Sequence, residues 1–144
     1  MRMDKLTAKF QQAIADAQSL ALGKKHNYIE PIHVLKALLD QDNGTARHLL
    51  TTAGANVAKL RSDVNNKISR LAQVDGTGGE LFISKDLEKL LNVTDQLSQQ
   101  KKDSYISSEL FILAATKSPS PLQKLLEQAN ITTSAISSAI DNLR

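Results

Sequence analysis

The side chains able to do chemistry are few and dispersed. Three histidines, His26, His33 and His48, are the first candidates. A helical zinc site needs two ligands on one face four residues apart, and no pair here has that spacing. His26 reads as a loop residue and a poor ligand on its own. His33 falls in the first turn of a helix, where a surface or cap-region role is expected. A phosphate loop needs G-x-x-x-x-G-K-[ST], so that backbone N–H groups and a lysine surround the phosphates. The only Gly-Lys step is Gly23-Lys24; Lys25 follows it, and Gln18 stands where the first glycine should be. Gly76-Thr77-Gly78-Gly79 has no lysine after it. No serine sits in a G-x-S-x-G elbow. Asp103 and Glu109 do not form an obvious acid–base pair. There is no cysteine, hence no thiolate site and no disulfide. These patterns point to a binding domain that is not an enzyme, with no metal and no cofactor of its own.

Composition narrows the partners. The net charge of +3 is small, and the basic residues are spread out, with short pairs only at Lys24-Lys25 and Lys101-Lys102. Nucleic-acid surfaces concentrate charge and interleave stacking aromatics. Aromatic residues make up 3% of this chain, so no nucleic-acid partner is expected. No run of about 18 apolar residues is present, so no membrane span is expected. Met1-Arg2-Met3-Asp4-Lys5 lacks the apolar core of a signal peptide, and a cytoplasmic location is the default expectation. A hydrophobic content of 41%, carried mostly by Leu, Ile, Val and Ala, suits packed helices.

The elements that must position any site follow from periodicity. Leu6, Phe10, Ala13, Ile14, Ala17, Leu20 and Ala21 recur at three- and four-residue steps and mark a first helix that stops at Gly23. Tyr28-Ile29-Glu30-Pro31 starts a second, with Pro31 at its first position. A third, short helix ends near Ala53-Gly54. Asn56 can cap a fourth bearing Val57, Leu60, Val64, Ile68 and Leu71. The glycine-rich stretch Asp75–Gly79 then reads as a flexible link. Beyond it, Ser84 can cap a helix carrying Leu87, Leu90, Leu91, Thr94, Leu97 and Ser98.

The second half echoes the first. A step of 77 lays Phe10 on Leu87, Ile14 on Leu91, Leu20 on Leu97, and Tyr28-Ile29 on Tyr105-Ile106. It lays Glu30-Pro31 on Ser107-Ser108, with a serine cap in place of the proline start. Further on the step is 76, taking Leu49-Leu50 to Leu125-Leu126 and Asn56 to Thr132. The expectation is one all-α domain over 1–144, with eight helices as a duplicated four-helix unit related by a pseudo-twofold axis. Its repeats are about 1–73 and 84–144, and the link about 75–83.

The residues also resemble a known family. Met1-Arg2-x-Asp4-x-Leu6-Thr7-x-Lys9-Phe10-Gln11, then Ala15–Gly23, then Ile29-Glu30-Pro31-x-His33 and Ala37-Leu38-Leu39 resemble the amino-terminal Clp repeat domain of the bacterial ClpB family. So do Gly76–Gly79 and Ile106-Ser107-Ser108-Glu109-Leu110-Phe111, and the resemblance covers essentially the whole chain. It implies a substrate-binding domain of an ATP-dependent, ring-forming AAA+ disaggregase acting in the heat-shock stress response. Unfolded or aggregated polypeptides are the implied partners, with the DnaK chaperone system acting through the parent. ATP and magnesium would bind in downstream modules of a hexameric parent, the isolated domain being a monomer. The alternative is a docking domain for a folded adaptor, as the resemblance to ClpA and ClpC domains implies.

For the site, the resemblance implies polar contacts from Thr7, Asp103 and Glu109 and an apolar groove of Val93, Leu97 and Leu110. Each has a second reading from local physics. Thr7 can cap the first helix, Glu109 can serve a helix N-terminus, and Asp103 can be a solvated turn residue. Val93 and Leu110 lie at the edges of their apolar stripes, where they form either a groove or a wider core.

Overall fold

The computed structural model describes residues 1–74 and 81–144. The glycine-rich link expected at Asp75–Gly79 lies outside the described residues. Eight α-helices occur among the described residues: α1 (Ala8–Gly23), α2 (Pro31–Asp40), α3 (Ala46–Thr52), α4 (Val57–Ser69), α5 (Lys85–Gln100), α6 (Ser108–Lys117), α7 (Pro121–Gln128) and α8 (Thr133–Leu143). The all-α class expected from composition is the one found.

Local chemistry sets the boundaries. The hydroxyls of Thr7 and Ser84 accept from the backbone N–H of Phe10 and Leu87, at 3.2 and 3.1 Å, and so start α1 and α5. Asn56, Ser120 and Thr132 cap α4, α7 and α8 in the same way. α1 stops at Gly23, where the glycine stop was expected. Gly23 is still helical, and the left-handed turn falls on Lys25, at φ 62°. Lys102 repeats it after α5, at φ 59°. In both, the next N–H returns to the helix: His26 to the Ala21 carbonyl and Asp103 to the Ser98 carbonyl, at 2.9 and 3.0 Å. A lysine is strained there, roughly 1–2 kcal/mol against a right-handed residue, so tertiary packing must hold the turn.

Tyr28-Ile29, expected to begin a helix, instead forms a two-residue strand, β1. It pairs in parallel with β2 (Phe82–Ile83), with Tyr28 opposite Phe82 and Ile29 opposite Ile83. A second parallel bridge joins Leu6 to Ile106. The stretch before α1 therefore pairs with the stretch before α6, and the stretch before α5 with that before α2. The two pairings map onto each other at a step of 77, which carries Leu6 to Ile83 and Ile29 to Ile106. These recurrences are consistent with a duplicated unit.

The helices pack as α1 against α2 and α5 against α6, with α3 and α8 bridging the groups. Ala13, Ala17 and Ala21 are fully buried along α1, and their small side chains let α2 approach closely. Phe10 from α1 and Phe111 from α6 meet edge to face at 5.7 Å in the core, both fully buried.

Candidate functional site

The polar residues implied by the resemblance converge at the start of α6. Asp103 follows the left-handed turn after α5; Ser107 is the N-cap of α6 and Glu109 lies in its first turn. Thr7 is brought alongside by the bridge between the two halves, its N–H donating to the Ile106 carbonyl at 3.0 Å. The Thr7 hydroxyl meanwhile caps α1, so the structural role foreseen for it is present.

Arg144, at the end of α8, ties the two carboxylates together. Its Nη1 and Nη2 donate to the two oxygens of Asp103 at 3.1 and 2.9 Å. Its Nε and Nη2 donate to Glu109 Oε1 at 3.1 and 2.9 Å. Asp103 is thus neither a free turn residue nor a helix cap; it takes a forked guanidinium. The carboxylate side chains are 20% and 12% exposed, which shields the cluster from part of the solvent. Ser107, expected to cap α6, makes no cap bond; its hydroxyl accepts from Arg144 Nη2 at 3.3 Å instead. Arg144 carried no signal in the sequence, because its partners lie 41 and 35 residues away.

The apolar set is arranged differently from an open groove. Leu97 is 6% exposed and Leu110 is fully buried, and both belong to the core. Val93 is half-buried and packs against that core. The three do not form an exposed patch, because the α5–α6 contact covers the two leucines. An apolar concavity does occur elsewhere. Pro31, Ile32, Leu71, Pro121, Leu122 and Leu125 line it together with Glu30, Lys67 and Asp86.

Two further polar pairs were not foreseen. His26 and His33 are buried rather than at the surface, with His26 Nδ1 and His33 Nε2 at 2.9 Å. His33 Nδ1 accepts the backbone N–H of Glu30 at 2.8 Å, so the expected cap-region role holds while the surface role does not. That acceptor must stay unprotonated, which leaves Nε2 as the donor to His26. Burial, and then the charge of His26, push the His33 pKa down to about 4. Arg2 reaches across to α5, donating from Nε and Nη2 to Asp95 at 3.0 and 2.7 Å. The Arg2 bond, with Gln99 and the Arg2 backbone adding to it, holds the Asp95 carboxyl down to about 2 against the opposing effect of burial.

Among the described residues, no group of three or more His, Asp or Glu side chains is placed to hold a metal ion, and no helix is long and apolar enough to cross a membrane.

Comparisons with known proteins agree on the family. The model of the Clp repeat N-terminal domain matches residues 5–141. The chaperone protein ClpB of Vibrio cholerae is 46% identical over 144 residues, covering all of this chain and 17% of that protein. The chain thus spans about a sixth of the length of the curated relatives it matches. Among solved structures, the Hsp104 N-terminal domain from Candida albicans superposes with a TM-score of 0.85 at 20% identity, covering 97% of this chain and 91% of that one. A ClpV N-domain solved in complex with a VipB peptide gives a TM-score of 0.75 at 26% identity, covering 92% and 82%. This chain belongs to the Clp repeat N-terminal domain family, as a domain of the ClpB chaperone type and not an ATPase module.

Proposed function

We propose that this domain binds unfolded or aggregated polypeptide and passes it to an AAA+ ring of a disaggregase, with Thr7, Asp103 and Glu109 as its polar contacts. The observation that carries this reading is the carboxylate pair before and within the first turn of α6, where Asp103 takes a guanidinium by a two-oxygen fork and Glu109 accepts two of its N–H groups on Oε1. A basic side chain of an extended chain would be met by the same groups. The peptide held by the related ClpV N-domain supports a polypeptide ligand in this family. Val93 is the accessible member of the apolar set, whereas Leu97 and Leu110 are buried and could take part only if α5 and α6 separated. In this reading ATP and magnesium belong to other modules of a hexameric parent, and the DnaK system acts with that parent in the cytoplasm. The paired recurrences at a step of 77 are read as two copies of one four-helix unit.

Titration with a permanently unfolded protein, followed by amide chemical shifts, tests the reading. Shifts are expected at Thr7, Val93, Asp103 and along the first turn of α6. Shifts confined to α4 would refute it. A folded adaptor that binds with saturable one-to-one stoichiometry, and that unfolded protein does not displace, would favour the docking alternative.

A further inference from the structure

The guanidinium of Arg144 is not itself a substrate contact in the function just proposed, yet it covers both carboxylates that the function uses. It makes five polar contacts: two with Asp103, two with Glu109 and one with Ser107. One carboxylate is gripped by a planar fork and the second is bridged to it. A lysine ammonium, a compact point charge, could not reproduce that geometry.

Ser107 departs from the other serine and threonine caps. The caps of α1, α4, α5, α7 and α8 each turn a side-chain oxygen onto the N–H three residues on. Ser107 stands in extended backbone, φ −97° and ψ 155°, where the same bond could be made. Its hydroxyl is turned to Arg144 instead, and the Leu110 N–H is left with the Ser107 backbone carbonyl at 3.2 Å. Two arrangements are therefore available to the same atoms. In one, Arg144 is seated and the cap is open. In the other, Arg144 has swung out, and the Ser107 hydroxyl is free to close the cap on Leu110.

We propose that Arg144 is a tethered occupant of the polar site, and that arginine side chains of an unfolded polypeptide displace it. The proposal rests on the substrate-binding reading and names the side chain the site selects. The balance of charge supports exchange over permanent closure. One guanidinium faces two carboxylates, so an incoming arginine approaches a cluster that is still net negative. All three side chains keep some solvent exposure, Arg144 the most at 35%, so the resident pair is weakened by screening and the arginine can leave. A resident that fills the site most of the time lowers apparent affinity by the fraction of time the site is open. Weak basic ligands are then excluded, while a segment adding apolar contacts still binds.

The test compares the 144-residue chain with R144A and R144K. The probe is a disordered synthetic peptide carrying two arginines, and the same peptide with lysines in their place. R144A should bind the arginine peptide about 3–10-fold more tightly than wild type, as expected for a site otherwise open about a tenth to a third of the time. R144K should fall between the two, and the lysine peptide should gain less than the arginine peptide. Adding D103N and E109Q to R144A should erase the gain. An amide spectrum with wild-type dispersion shows that each variant is folded. If R144A binds the arginine peptide no better than wild type, the tether is overturned while substrate binding stands. If neither protein binds either peptide or any unfolded protein, the substrate-binding reading itself is overturned.

Discussion

At the residue scale, two buried or half-buried pairs give the domain two distinct windows of pH sensitivity. His33 is held near a pKa of about 4, below the ordinary histidine value of 6.5, by burial and then by the charge of His26. Its folded pKa is depressed, so the unfolded chain binds the proton first as the solution is acidified. The contribution of neutral His33 is whole above about pH 6.5 and is lost as pH falls toward about 4. Asp95 behaves in the next window down. Its carboxyl lies near about 2 rather than 3.8, chiefly because Arg2 donates to it. The stability it confers is present above about pH 4 and is lost as pH falls toward 2. Urea unfolding at intervals from pH 7.5 to 2.5 should therefore show two declines. His33→Leu should flatten the upper one and Asp95→Asn the lower one. A wild-type curve that is level between pH 6.5 and 4 would contradict the buried, neutral state of His33.

At the element scale, the open question is what the apolar residues of α5 and α6 do. Leu97 and Leu110 are interior residues, so Leu97→Ala and Leu110→Ala should each destabilise by about 2–5 kcal/mol, the range for buried leucines. Val93 is half-buried, and Val93→Ala should cost less than either, about 1 kcal/mol. Thermal and urea unfolding of the three variants measures this. Losses under about 0.5 kcal/mol at the leucines would mean they lie on an exposed groove after all. Much of the element layout was legible beforehand because it depends on near neighbours. The stripes of α1 and α5, the caps Thr7, Ser84 and Asn56, and Pro31 at a helix start all act within a few residues. What was not legible depends on distant partners. Tyr28-Ile29 became a strand because Phe82-Ile83 lies beside it, and the Ser107 hydroxyl meets Arg144, which arrives from the end of α8. The edge positions Val93 and Leu110 show the limit within a single helix. Periodicity places both beside the stripe, but only the packing of α6 against the rest of the core decides that Leu110 is fully enclosed.

At the scale of the whole molecule, the connections between the two helical groups predict that neither folds alone. Each short parallel pairing joins a segment of one group to a segment of the other: Leu6 with Ile106, and β1 with β2. Among the described residues, the N–H groups of Thr7, Phe82, Ser84 and Ile106 all donate across to the other group. The Ile106 N–H, for instance, donates to the Lys5 carbonyl at 2.7 Å. The central aromatic contact is also shared, with Phe10 from α1 set against Phe111 from α6. A chain of this size that unfolds as one unit should lose all its protected amides together. Phe10→Ala removes one side of that contact from a fully buried position and should cost about 3–5 kcal/mol. The informative readout is where the loss appears. Hydrogen exchange on the variant should show protection falling by similar factors in α1 and α2 and in α5 and α6, though Phe10 belongs to only one group. If protection falls in α1 and α2 while α5 and α6 keep wild-type values, the groups are separable units and the cross-pairing is only a weak clasp. The same coupling bears on the polar site, since the Thr7–Ile106 bond that places Thr7 beside the start of α6 is one of these cross-connections. A variant that loosens one group from the other should therefore weaken polypeptide binding even where Asp103 and Glu109 are untouched.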